Sequence, residues 1–344
     1  ICSQKGLVER FDNTIGAGTV IMPFGGKYQL SPSEGMIAKI PLIEGDTKTG
    51  TIMTYGYNPK LAKWSPFHGA VFAIVEAISK VCALGGDYRK TRLTLQEYFE
   101  KLEENPERWG KPLAALLGAY YAQINLGIPS IGGKDSMSGT FKDLHVPPTL
   151  VAFAVNIANV DCTISSEFKE IGSKVVIVSL RRDENELPDF EQLDKNYSRI
   201  YSLIKDGKIL SASSIKAGGI AEMITKMCFG NMIGFIFEGI EDSKRFFTPD
   251  YGSIIVEVDK NEDVNILFKD LDHLLLGYTT EEKSITINET IITLDDALKC
   301  WEKPLEEIFP IYGDQKENNA SLLCTGNIVN NKKINIFIRI PLIL

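Results

Sequence analysis

Pro129-Ser-Ile-Gly-Gly-Lys-Asp-Ser-Met-Ser-Gly139, followed by the apolar run Thr149 to Ile157, decides how this chain is read. Before it, the Ala- and Leu-rich stretch Lys111 to Leu126 has the composition of a helix, and Gly127 stops it. After it, the apolar run has the length of a buried strand. A helix therefore ends in a glycine-rich loop that carries Lys134, Asp135 and Ser136 and leads into a sheet. Glycines let backbone N–H groups face an anion without Cβ obstruction. Lys134 adds a point charge and Ser136 a hydroxyl donor. The loop is not a phosphate-binding Walker A loop. Asp135 follows Lys134 where Ser or Thr is required, and Ile128 stands where the first glycine belongs. As spacing alone it reads equally well as a tight turn with solvated side chains.

Working outward, Thr19 to Pro23 reads as a strand and Phe24 to Lys27 as a turn. Met36 to Leu42 and Thr51 to Tyr55 read as a hairpin around the turn Gly45 to Gly50. Ser65-Pro66 opens a helix. Val71, Ile74, Val75, Ile78 and Cys82 keep the helical period, and Gly85-Gly86 ends it. Leu93 to Leu102 is the next element, with Gln96 and Glu97 either site groups or the open face of a helix. Downstream, Lys174 to Leu180, Ile233 to Phe237 and Ser253 to Val258 read as strands, and Phe190 to Ile204 and Ile220 to Cys228 as helices. The mixture is α+β or α/β. The composition turns polar at Ser165 to Ser173, which sets the expected boundary between two domains.

The 344 residues are 44% hydrophobic and 24% charged, ordinary for a globular protein, with a net charge of -8. That acidity disfavours nucleic acid as a partner, while a small phosphorylated substrate needs only a local cluster of lysines and amides. Cys2, Cys82, Cys162, Cys228, Cys300 and Cys324 form no C-x-x-C pair, which fits a reducing cytoplasm rather than a disulfide framework or zinc site. His68, His145 and His273 lie far apart and read as isolated histidines. No signal peptide or apolar stretch of spanning length is evident, so no membrane is expected. The start at Ile1-Cys2-Ser3 and the apolar end Ile334 to Leu344 read as cuts in a longer chain.

Two further places hold candidate chemistry. Glu76 sits among apolar neighbours as a metal ligand would, yet Lys80 one turn on makes the pair equally an ordinary surface helix pair. Gly218-Gly219 before a helix reads as a phosphate-facing turn or a packing turn. No Ser-His-Asp or Cys-His order stands out.

Taken together, several strings resemble the family of phosphoribosylformylglycinamidine synthase in its long form. They are Gly6 to Asp12, Met22 to Gln29, Trp64 to Ala70, Leu95 to Phe99, Pro129 to Gly139 and Val146 to Phe153. The match covers residues 6 to 310. It implies an aminoimidazole ribonucleotide synthetase-like fold in which an A domain, whose sheet pairs with that of a homologous half, is followed by a mixed α/β B domain. The expected division is a lead-in at 1–35, the A domain at 36–165, the B domain at 166–312 and a linker at 313–344 towards a glutaminase domain. The implied reaction uses ATP and magnesium to activate the formamide oxygen of formylglycinamide ribonucleotide, and ammonia from the glutaminase then displaces phosphate. This chain resembles the second half. The family's catalytic histidine and main metal carboxylates belong to the first half, so no catalytic residue and no tightly bound cofactor or metal are expected here.

The resemblance also implies roles by position. Gly132, Gly133, Lys134, Asp135 and Ser136 form a loop reaching the other half's site. Gly133 matches a nucleotide contact and Ser136 a substrate contact, and Gln96 stands near a nucleotide-contacting acid. Lys134 replaces an asparagine metal ligand; a protonated lysine does not bind magnesium and is expected to meet phosphate. Some long-form relatives hold a structural ADP in this half. Of its ligand positions this chain has Gly25, Glu76, Lys80 and Ser214, with Lys216 nearby. One carboxylate of three is left, so a degenerate site is expected, with Glu76 in salt-bridge reach of Lys80 or Lys216. Uncovered strand surface around Met36 to Ile40 and Ile52 to Tyr55 implies self-association, as a homodimer. The rival readings are a structural half that only scaffolds the core, and another ATP-using member of the superfamily.

Overall fold

The computed structural model describes residues 2–11, 13, 18–238 and 243–311. Along the chain the first elements are α1 (Lys5–Val8), β1 (Thr19–Ile21), β2 (Phe24–Gly25), β3 (Ser31–Pro32), β4 (Met36–Lys39), β5 (Thr49–Gly56), α2 (Pro59–Trp64) and α3 (Pro66–Ala83). Then come β6 (Arg92–Tyr98), α4 (Pro106–Leu126), β7 (Ser130–Lys134), β8 (Thr140–Phe141), β9 (Leu144–His145) and β10 (Thr149–Asn159). The second part holds β11 (Lys174–Val178), α5 (Phe190–Lys205), β12 (Ile209–Ser214), α6 (Gly219–Phe229), β13 (Gly234–Phe237) and β14 (Ile254–Val258). It closes with α7 (Val264–Leu267), β15 (His273–Thr280), β16 (Ser284–Ile287), β17 (Thr290–Thr293) and α8 (Leu294–Glu306).

Two main sheets organise these elements. The first has the order β1-β4-β5-β10-β6-β7, antiparallel except for the parallel pair β6 and β7. The second has the order β12-β14-β11-β15-β13-β16-β17, antiparallel except for β13 and β16. Helix α3 packs on β5 and β10 of the first sheet and on β12 of the second. Ser65 caps it by accepting from the His68 N–H, and Pro66 takes the first turn. Fifteen of its residues are buried, so its length and apolar composition mark the core helix between two sheets. The main apolar core runs through it from Ile37, Ile52, Leu93 and Ala152 to Val176, Val178 and Ile254.

A second core of Phe168, Ile224, Phe235 and Leu276 lies on the other face of the second sheet. Among the described residues the first sheet has no such second cover. Alternation turns Ile37, Ile52, Leu95 and Ala154 inward, and leaves Met36, Met53, Tyr55, Phe153 and Ile157 exposed on the far face.

The hairpin read from the sequence is β4 and β5, in register Ile37 with Ile52. Three readings change. Residues from Leu93 form a strand and not a helix, with Leu93 and Leu95 inward and Gln96 half-buried on the other face. Helix α4 begins earlier than expected, at Pro106 under an Asn105 cap, and runs through Pro112. The stretch after Pro129 begins as strand β7 rather than as a turn.

The segment placed as a lead-in joins the first sheet and the C-terminal end of α6. β1 pairs with β4, while the Tyr28 N–H donates to the Gly230 carbonyl at 2.9 Å and Ser31 Oγ donates to the Lys226 carbonyl. The segment 313–344, with Cys324 and the apolar run from Ile334, lies outside the described residues.

Candidate functional site

Strand β7 sits at the end of the first sheet, and all five of its residues are exposed. Its register sets Gly133 opposite Leu95 and Lys134 opposite Gln96. Gly133 is required there: a Cβ would lie 2.3 Å from the Leu95 carbonyl oxygen, whereas one on Gly132 would meet nothing within 4 Å. Beyond the strand, the Ser136 N–H donates to the Glu97 carbonyl at 3.0 Å, and the Phe99 N–H donates to the Ser136 carbonyl at 2.8 Å. Ser136 Oγ lies 3.0 Å from Ser138 Oγ. Lys134 Nζ stands 4.3 Å from the centre of the Tyr98 ring, and Tyr98 donates its hydroxyl proton to Gln96 Oε1 at 3.2 Å. Burial and the neighbouring Asp135 carboxylate push the Glu97 carboxyl up. The positions expected to act together, Gln96 and Gly132 to Ser136, are thus one edge of one sheet. Their lysine, hydroxyl and amide groups can bind an anion.

A second set of titratable groups is buried between the two sheets. Lys80 Nζ and Glu76 Oε1 are 2.7 Å apart, and both side chains are less than a tenth exposed, at 7% and 9%. Lys80 also donates to the Tyr55 carbonyl at 2.6 Å. The ion pair expected between Glu76 and Lys80 is present, and it is buried, unlike an ordinary surface helix pair.

Glu34, which the sequence reading missed, completes the cluster. It accepts from Ser213 Oγ at 2.7 Å, Ser214 Oγ at 2.5 Å and Lys216 Nζ at 2.8 Å. Burial pushes its carboxyl up, but the Lys216 and Lys80 ammonium groups outweigh this and hold it below the ordinary carboxylate value. Burial lowers the Lys80 ammonium. For Lys216, burial works downward, yet the Glu34 carboxylate outweighs it and holds the ammonium above its ordinary value. Glu34, Glu76, Lys80 and Lys216 line one cavity of about 1110 Å³. Glu34 adds a second carboxylate to the cavity, outside the ligand positions matched in the sequence; Glu76 pairs with Lys80 and Glu34 with Lys216.

Gly25 stands apart from these groups. A Cβ on it would lie 2.2 Å from Glu167 Oε2, so the Glu167 carboxylate fills the space a side chain at 25 would use. Magnesium needs several hard oxygen ligands. Among the described residues no three His, Cys, Asp or Glu side chains come together, and both cavity carboxylates already hold an ammonium. The residues do not fit a divalent ion.

The histidines keep separate partners: His68 with Ser65 and the Asn185 carbonyl, His145 with Thr140, His273 with the Leu271 carbonyl. Cys82 and Cys228 are buried, and burial raises both thiols.

No family model matches the chain. It is 23% identical over 334 residues to "Phosphoribosylformylglycinamidine synthase subunit PurL" of Thermoplasma volcanium, covering 87% of this chain and 42% of the relative. The PurL subunit of Thermus thermophilus is 23% identical, with 90% and 44% covered. The chain thus spans less than half the length of these curated relatives.

Thermotoga maritima PurL complexed with ATP matches at TM-score 0.58 and 14% identity, covering 76% of this chain and 47% of that one. The same protein complexed with FGAR matches at 0.59 and 13%, covering 73% and 46%. A chain of the HypE–HypF complex matches at 0.55 and 14%, covering 78% of this chain and 95% of its own length. The described residues therefore amount to one unit of a fold that occurs alone in one neighbour and makes up less than half of another. In fold, and in sequence over about nine-tenths of its length, this chain is a relative of phosphoribosylformylglycinamidine synthase subunit PurL, with the aminoimidazole ribonucleotide synthetase-like fold.

Proposed function

We propose that this chain is the second half of the synthetase core of a long-form phosphoribosylformylglycinamidine synthase, an ATP-dependent carbon–nitrogen ligase of purine biosynthesis. The observation that carries this is the pairing of Gln96 with Lys134 along an exposed sheet edge, next to a sheet face with no cover of its own. That edge lends Gly132 to Ser136, with Gln96, to a site completed by the first half, whose A domain lies over Met36, Met53, Tyr55 and Phe153. The substrate is a small phosphorylated molecule, formylglycinamide ribonucleotide, and a glutaminase domain supplies ammonia. ATP with magnesium would be held by the other half and would supply the activation of the formamide oxygen.

Within this chain the work is binding and positioning. The Lys134 ammonium meets phosphate directly. Ser136, held by two backbone hydrogen bonds to the strand beside it, presents its hydroxyl to the substrate. The expected place of action is the cytoplasm.

Replacement in the full-length enzyme tests this. Lys134→Ala and Ser136→Ala each lower kcat/KM about a hundredfold at unchanged thermal stability. Unchanged turnover establishes instead the reading in which this half only scaffolds the core. The chain by itself releases no phosphate with substrate, ATP and ammonia; release would overturn the proposal.

The cavity around Glu76 is a degenerate nucleotide site, its metal replaced by two lysine–carboxylate pairs. Calorimetry should find no tight magnesium-dependent ADP binding, and a magnesium ion coordinated by Glu76 would refute this.

A further inference from the structure

Tyr98, on β6, meets three of the groups along the exposed sheet edge. Its ring centre lies 4.3 Å from Lys134 Nζ, and its hydroxyl donates to Gln96 Oε1 at 3.2 Å. The third is Ser136. The Ser136 N–H donates to the Glu97 carbonyl, and the Ser136 carbonyl accepts from the Phe99 N–H. In a parallel pair those two bonds set Ser136 opposite Tyr98, as Lys134 stands opposite Gln96. Alternation therefore puts Gln96, Tyr98, Lys134 and Ser136 on one face of the sheet, the open one. The edge carboxylates Glu97 and Asp135 come one residue on in each strand and belong to the opposite face, the side on which Leu93 and Leu95 are buried.

We infer that Tyr98 is the positioning residue of this edge: its ring holds the Lys134 ammonium, its hydroxyl turns the Gln96 amide, and the edge thereby presents donors to a phosphate group. This rests on the function proposed above. A lysine side chain is long and flexible, and ordering it during binding takes away affinity. Here both of its ends are fixed beforehand. Gly133 seats the backbone against the Leu95 carbonyl, and the face of the Tyr98 ring attracts the ammonium. A glutamine amide can accept through its oxygen or donate through its nitrogen. With Gln96 Oε1 taken by the Tyr98 hydroxyl, the Nε2 donor is what remains for a ligand. An ammonium, an amide N–H and the Ser136 hydroxyl are the groups that phosphate oxygens accept from. The rival role for Tyr98 is packing under a covering sheet, as its exposed neighbours Met53 and Phe153 would do. Packing makes no use of the hydroxyl, and phenylalanine would serve it equally well.

Steady-state kinetics of the full-length enzyme, with melting temperatures, test the assignment. Tyr98→Leu removes ring and hydroxyl together and raises KM for the phosphorylated substrate about tenfold, with kcat and melting temperature unchanged. Tyr98→Phe keeps the ring and loses only the hydroxyl, so most of the affinity returns and a rise of about threefold is left. In a Lys134→Ala background the step to Tyr98→Leu adds only that same factor of about three, because the ring has lost the group it holds. Tyr98→Phe also carries the test if the leucine variant does not fold: its rise disappears in a Gln96→Ala background, and a rise that persists there overturns the assignment. An unchanged KM in Tyr98→Leu, while Lys134→Ala still lowers kcat/KM, overturns it alone and leaves the proposed function standing. No effect of Lys134→Ala overturns both. Equal KM values for the leucine and phenylalanine variants, or a tenfold rise that persists in full without Lys134, also overturn it, since the ring then does not act through the lysine.

Discussion

Gly133 and Gly132 are adjacent, and only one of them needs to be glycine. Gly133→Ala forces β7 off the Leu95 carbonyl and should cost about 1–3 kcal/mol, the usual range for overpacking. Gly132→Ala should stay within about 0.5 kcal/mol, as an open surface position does. Urea denaturation of the two variants checks the contrast, and equal losses would mean that β7 is not docked as described.

Glu34 makes the opposite point, because its importance is charge and not shape. Glu34→Gln leaves Lys216 and Lys80 beside a neutral amide and should cost roughly 3 kcal/mol at pH 7. The folded pKa of Glu34 lies below its ordinary value of 4.5. Its stabilisation is therefore complete above that value and is lost as pH falls through the folded pKa. The gap between wild type and variant should close in acid. A gap that widens in acid would contradict the ion pair. Lys216 is 182 residues from Glu34, which is why the linear sequence did not couple them.

Among the elements, α4 depends on its cap. Asn105 Oδ1 accepts from the Glu107 N–H at 2.9 Å and the Arg108 N–H at 3.4 Å. Asn105→Ala should lower stability by about 1 kcal/mol in thermal unfolding; no change would mean that water satisfies those amides equally well. The start of α4 was legible in Asn105-Pro106, a cap followed by a first-turn proline, although the Ala- and Leu-rich composition begins only after Lys111. Pro112 is the seventh residue of the helix, on its packed side, and gives up the N–H that would donate to the Arg108 carbonyl. Helix α2 carries the same signal at Asn58-Pro59. Strand β6 was ambiguous for another reason. Leu93 and Leu95 alternate, yet a short apolar run followed by Phe99 and Leu102 also fits a helical face. Pairing with β10 on one side and β7 on the other decided it.

At the scale of the molecule, the described residues cover one sheet on both faces and the other on one. Each buried side chain on the covered face contributes roughly 1.5–3 kcal/mol, and none of that is available to Met53 or Tyr55 until a partner sheet arrives. Met53→Glu should leave the melting temperature of the chain unchanged and weaken its assembly with the first half at least about tenfold, read by calorimetric titration. Undiminished assembly would place the partner elsewhere.

Local patterns determined the elements that a chain segment can specify by itself. They include the β4–β5 hairpin with its turn, the capped helix α3, the strand β10 and the glycine-rich join before it. Motif resemblance added the family, since the Pro129 to Gly139 string is distinctive as a string even though its spacing is not. Tertiary structure alone decided what depends on residues distant in sequence. It set Lys134 beside Gln96, brought Glu34 to the lysines, filled the space at Gly25 with Glu167, and turned the large side of α4 outward. Periodicity shows that a helix has an apolar stripe, but which side becomes the core depends on the neighbour it packs against. For α4 that neighbour is α3, which approaches so closely that no Cβ fits at Gly118.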